Sequence, residues 1–183
     1  METMHIVPIG ACDLKFLRVI ADTLTDTFRF TVRIEPGISL PRGVYNAQRK
    51  QYHSSGLLDV LRRMKKGKAR VLGVTDVDLY VPGLNFVFGE ADSQTGMAVI
   101  SMSRLREEFY GHPPNTELLY ARTIKEAIHE IGHTYGLDHC PHRLCIMHFS
   151  NSLQDTDAKG PGFCTFCKKR LGLYELPELL IDR

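Results

Sequence analysis

The residues best suited to chemistry lie in one run: His129, Glu130, Ile131, Gly132, His133, Thr134, Tyr135, Gly136, Leu137, Asp138 and His139. If the segment from Asn115 to Tyr135 is helical, His129 and His133 stand about 40° apart around its axis, so both imidazoles leave one face and can share a metal ion. Glu130 lies about 100° round from His129, beside such a metal but poorly placed to bind it. Gly136 can take the left-handed conformation that ends a helix and turns the chain, which lets His139 return as a third ligand. Three imidazoles leave a fourth position for water, the arrangement of a catalytic zinc rather than a structural one.

A second constellation begins one residue later. Cys140 and Cys145 form one pair, and Cys164 and Cys167 form a Cys-x-x-Cys pair at the start of a predicted short helix. Two thiolate pairs joined by a loop can build a closed four-cysteine zinc site, which can organise a C-terminal stretch poor in apolar residues. A redox pair is the competing use of Cys-x-x-Cys. The second pair upstream, and the lack of a thioredoxin-like strand before it, favour metal. Adjacent residues of an extended chain face opposite sides, so His139 and Cys140 can serve two different ions.

The chain that must position these groups has 183 residues, with 23 Lys plus Arg against 21 Asp plus Glu, five Cys and eight His. That length suits a single domain able to bury a core without disulfides. The near-balance of charge argues against recruitment to nucleic acid or an anionic membrane. The N-terminus lacks the pattern of a signal peptide, and charge-free stretches such as Leu79 to Gly89 fall short of the roughly 20 apolar residues of a membrane helix. A cytoplasmic location is therefore expected, where cysteines are ligands or core fillers rather than disulfides.

Strand and helix patterns alternate, which predicts an α/β fold with a largely parallel sheet. Met4 to Gly10 reads as a strand, Asp13 as the cap of a helix to about Asp26, and Phe28 to Ile34 as a strand. Residues 35–45 read as a turn-rich connection. Ser54 could cap a helix carrying Leu57, Leu58, Val60, Leu61 and Met64 and stopping at Lys65, Lys66 and Gly67. Val71 to Val74 is a buried strand, Leu79 to Gly83 a loop, and Asn85–Glu90 with Met97–Met102 a hairpin that adds one antiparallel strand. The helix of the histidines, capped by Asn115 or Thr116, divides the cleft, and a short helix spans Cys164 to Leu171.

His-Glu-x-x-His-x-x-Gly-x-x-His followed by Met147 resembles the metzincin clan of zinc peptidases. The continuation through Cys140, Cys145, Met147, Cys164 and Cys167 resembles the archaemetzincins in particular. The resemblance is tightest over residues 129–167. It implies that His129, His133 and His139 bind a catalytic zinc, that Glu130 is the catalytic base, that Met147 is the Met-turn residue beneath the metal, and that the four cysteines bind a second, structural zinc. It also implies a zincin-like fold: a twisted mixed β-sheet with one antiparallel edge strand, an active-site helix, and a small zinc-stabilised C-terminal subdomain. The division would fall at about residues 1–136 and 137–183.

On that reading Zn2+ is expected twice per chain, and the expected activity is peptide hydrolysis in which Glu130 takes a proton from a zinc-activated water. The strand at Asn85 to Glu90 is the expected upper rim of the cleft, where an extended peptide or protein substrate could add itself through main-chain hydrogen bonds. Two other classes compete. One is a catalytically silent, zinc-stabilised peptide-binding module, disfavoured by the retained Glu130 and open three-histidine site. The other is a nucleic-acid module on the cysteine site, disfavoured by the charge balance. His142 and His148 are expected to be exposed loop residues, and Cys12 a core filler. His5, His53 and His112 have no partner at a recognisable spacing, and Lys168, Lys169 and Arg170 should form a solvated helix end.

Overall fold

The computed structural model describes residues 2–64, 67 and 69–173. In chain order the elements are β1 (Thr3–Ile9), α1 (Leu14–Phe28), β2 (Thr31–Ile34), β3 (Tyr45–Asn46), β4 (Gln51–His53), α2 (Ser54–Met64), β5 (Arg70–Thr75), β6 (Leu79–Tyr80), β7 (Gly89–Asp92), β8 (Met97–Ser101), α3 (Thr116–Thr134), α4 (Leu153–Ala158) and α5 (Thr165–Leu171). The main sheet runs β2-β1-β5-β8-β7. All neighbours are parallel except β7, which pairs antiparallel with β8 at one edge. This is the mixed α/β architecture expected.

Burial follows from the order. The inner strands β5 and β8 are almost wholly buried, as strands covered on both faces must be, and the edge strands β2 and β7 are not. Alternation sends Ile6, Leu72, Val74, Ala98 and Ile100 to the face packed by α1 and α3, and Val7, Val71, Met97 and Val99 to the face packed by α2. The first of these clusters continues through Met147, Phe163 and Cys167, so the C-terminal residues share the core of α3. Phe28, at the end of α1, stacks on Tyr135 and meets Phe163 edge-on.

Four expectations are corrected. Phe28 ends α1 rather than opening a strand, because Arg29 takes a left-handed conformation and its N–H closes the helix on Thr25 O, 2.8 Å away. Leu79–Tyr80 is not loop but part of a second sheet, β3-β4-β6, whose strands are too short to show a period of two. The rim strand begins at Gly89, not Asn85, because the chain before it bridges to Leu79 through Val87. Its turn is set by Asp92, whose Oδ1 accepts from Gln94 N at 2.9 Å and whose Oδ2 accepts from Thr95 Oγ1 at 2.7 Å. Finally, α4 lies where no element was expected. It is a single capped segment in which Ser152 Oγ accepts from Asp155 N. The expected helix stop at Lys65 and Lys66 lies outside the described residues.

Candidate metal centres

Helix α3 starts where Asn115 accepts from Leu118 N at 3.0 Å and ends before Gly136, whose φ of 78° turns the chain back. The expected ligands converge. His129 and His133 present Nε2 atoms 3.1 Å apart, His139 completes the trio, and one nitrogen from each lies within 4.8 Å of the others. The far side of each helical ring decides its tautomer. His129 Nδ1 donates to Ile146 O at 2.8 Å and His133 Nδ1 donates to Leu137 O at 2.6 Å. A carbonyl only accepts, so hydrogen resides on Nδ1 and both Nε2 lone pairs face each other. Two lone pairs at that distance repel unless a cation lies between them, and tetrahedral zinc with nitrogen ligands separates such atoms by about 3.3 Å. Desolvation holds all three imidazoles below their ordinary pKa, the buried His129 furthest and the more exposed His139 as well, with the nearby Lys159 charge adding to the effect. They are therefore neutral, as a metal requires.

Glu130 is buried beside this trio. Burial raises its carboxyl well above the usual range, the Glu126 carboxylate adds to the rise, and Lys159 opposes it. Met147 is fully buried. A Cβ on Gly132 would lie 2.5 Å from Met147 Sδ, so the absence of a side chain between the two helical histidines leaves room for the thioether.

The four cysteines also meet. Cys140 and Cys164 Sγ atoms are 3.8 Å apart, and Cys145 and Cys167 Sγ atoms 3.7 Å apart. A tetrahedral zinc–thiolate site requires about 3.8 Å. All four are free thiols, and Cys164 N donates to Cys145 Sγ at 3.3 Å. Burial works against ionisation of Cys164, but hydrogen bonds from the Cys167 N–H and the neighbouring thiols bring it down to about 7. Burial pushes Cys140 and Cys167 up. Both sets of donors therefore match zinc in type, number and spacing.

The trio opens into a cleft of about 690 Å³ between α3 and β7, with Phe86, Gly89 and Phe149 on its walls. Of the residues not assigned to the site from sequence, some bear on it. Lys159 is fully buried, with Nζ 2.9 Å from Glu126 Oε1. Arg170 Nη2 donates to Gly136 O at 2.9 Å, pinning the turn between His133 and His139, so this helix end is more than solvated charge. His148 is half-buried, with Nδ1 donating to Cys140 O at 2.9 Å, whereas His142 is exposed as expected. His5 has a partner after all, Glu35 Oε1 at 2.6 Å. Cys12 is half-buried and donates to Val74 O. The signal available in the sequence was Glu126, a carboxylate on the inward face of α3 one turn before Glu130.

Comparison with known proteins agrees with the geometry. The profile of peptidase family M54 matches residues 13–172. An archaemetzincin of Thermococcus kodakarensis is 42% identical over 178 residues, covering 93% of this chain and 96% of that one. The crystal structure of an archaemetzincin from Methanopyrus kandleri superposes with a TM-score of 0.80 at 38% identity, covering 93% of this chain and 94% of that one. A zinc-dependent peptidase from Methanocorpusculum labreanum superposes with a TM-score of 0.84 at 31% identity, covering 92% and 99%.

Proposed function

The chain belongs to peptidase family M54 and is a zinc metallopeptidase, and on that premise we propose that Glu130 is its general base, His129, His133 and His139 the ligands of its catalytic zinc, and Met147 the packing residue beneath them. Cys140, Cys145, Cys164 and Cys167 hold the structural zinc. The observation that carries the reading is the meeting of three neutral imidazoles with one buried carboxyl on the wall of an open cleft. Zinc, when bound there, supplies a Lewis acid that polarises a carbonyl and lowers the pKa of a coordinated water.

Glu130 does the proton work. Its raised pKa puts it nearer neutrality than an exposed glutamate, which suits a group that must take a proton and later return it to a leaving amine. The edge strand provides the track for the substrate. Phe88 O accepts from Ser101 N at 2.8 Å, so by the alternation of an antiparallel ladder the N–H and C=O groups of Gly89 and Ala91 point away from β8. An extended peptide can pair with them.

The four thiols, paired without disulfides, favour a reducing cytoplasmic setting. No helix among the described residues is long and apolar enough to cross a membrane. A net charge of +2 supports a protein that acts on peptides and does not engage nucleic acid. The shared core from Met4 to Cys167 supports one domain, with the C-terminal subdomain beginning after Gly136.

The test is a metal count by native mass spectrometry and digestion of a mixed peptide library, for the wild type and Glu130→Gln. Two zincs in both, with hydrolysis reduced about 10²–10⁴-fold in the variant, is the expected result. Two zincs and no cleavage by either protein would transfer the assignment to a silent peptide-binding module.

A further inference from the structure

We propose that Gly89 is a positioning residue for Glu130: the side chain it lacks leaves the slot that the carboxylate occupies. Gly89 lies opposite Ile100 in the β7–β8 ladder, and Ile100 belongs to the core layer under α3, so a side chain at 89 would project toward that helix. A Cβ there would lie 2.7 Å from Glu130 Cγ and 2.8 Å from Glu130 Oε1, as well as 2.8 Å from Val99 O. Carbon and oxygen do not approach that closely without displacement, and the freest of these atoms are those of the Glu130 side chain.

Backbone conformation does not explain the glycine. Gly89 is absent from the residues with positive φ, so no left-handed conformation demands glycine there. Glycine in a strand weakens it and marks places where another group approaches closely. Two residues further along the same face, Ala91 carries a Cβ. The demand for space is thus local to the point where the edge strand meets Glu130. The strand that would hold the substrate main chain and the carboxyl that would serve it are set against each other at a single position.

The catalytic consequence rests on Glu130 being the base; the packing relationship does not. A displacement of about 1 Å at a reacting group costs about 100-fold in rate. Gly89→Ala is therefore expected to lower kcat about 100-fold with KM little changed and two zincs retained. A second measurement separates Glu130 from Val99. The loss of urea stability caused by Gly89→Ala is compared in two backgrounds, Glu130 and Glu130→Ala.

If Glu130 fills the slot, the loss shrinks when residue 130 is Ala, and a Gly89→Ala protein that fails to fold is rescued by Glu130→Ala. Equal losses in both backgrounds, failure to fold in both, or an unchanged kcat would overturn the proposal. Should the base assignment itself be wrong, Glu130→Gln would stay active while the stability difference persisted, so the two failures are told apart.

Discussion

His129 donates through Nδ1 to the carbonyl of Ile146, and Ile146 stands directly between Cys145 and Met147. The other side of the cysteine site reaches the trio as well, because Cys140 adjoins His139 and its N–H donates to Met147 O at 2.8 Å. The two metal centres therefore share one short stretch of backbone. Partners that orient a metal ligand are typically worth about 10–100-fold in affinity. Cys164→Ser with Cys167→Ser is expected to lose one metal and to weaken the remaining zinc by about that factor, read by competition with a chromophoric chelator. Coupling between two bound metals is reciprocal, so filling the histidine site is expected to tighten the cysteine site of the wild type as well. Unchanged affinity in either direction would rule the coupling out.

Glu126 and Lys159 form a buried ion pair, with Thr156 Oγ1 donating to the same carboxylate oxygen at 3.3 Å. Removing one charge leaves the other without its partner in a dry setting, which costs about 3–5 kcal/mol. Lys159→Met should lower stability by that amount, and Lys159→Met with Glu126→Leu should recover most of it, since an apolar pair of similar volume avoids the desolvation. Urea midpoints of the three proteins decide the point. A double variant no better than the single one would contradict it.

Gly132→Ala sets two effects against each other. Alanine gains about 1 kcal/mol over glycine inside a helix, but a Cβ 2.5 Å from Met147 Sδ in a filled core costs about 1–3 kcal/mol. Met147 is fully buried, and Phe163 closes the same space at 3.4 Å, so the sulfur has little room to retreat. Net destabilisation is expected, with Met147→Ala in the same chain relieving the clash. A Gly132→Ala protein more stable than the wild type would show that Met147 moves freely.

Acid should act on the metal-free protein through the histidines. Above about pH 6.5 the imidazoles are neutral in both the folded and the unfolded state, and they contribute no pH dependence there. Burial lowers their folded pKa values, so as pH falls through 6.5 the unfolded chain binds more protons and stability declines toward the folded values. Urea midpoints of stripped protein at about pH 7.5 and about pH 5.5 should differ in that sense, and His129→Asn should reduce the difference. A flat profile in the wild type would refute it.

The ligand set was legible because it depends on local geometry. Helical spacing brings His129 beside His133, Gly136 turns the chain, and cysteine pairs at short intervals need only one loop to meet. The supporting groups were not legible, because each acts across a distance in sequence that no local pattern encodes. Lys159 reaches back to Glu126, Arg170 to Gly136, and Gly89 to Glu130. The rim strand was placed too early for the same reason: Asn85 to Phe88 is apolar enough for a strand, but Val87 bridges to Leu79, outside the main sheet.

All three imidazoles, Glu130 and Met147 precede α4, while Cys164 and Cys167 belong to the opening of α5. A chain truncated at Ala158 would keep the three imidazoles and Glu130 and lose half the thiols that gather beside His139. During synthesis the sheet can close before that anchor leaves the ribosome. The thiol anchor beside His139 is thus completed only after the sheet, α3 and α4 have all been made.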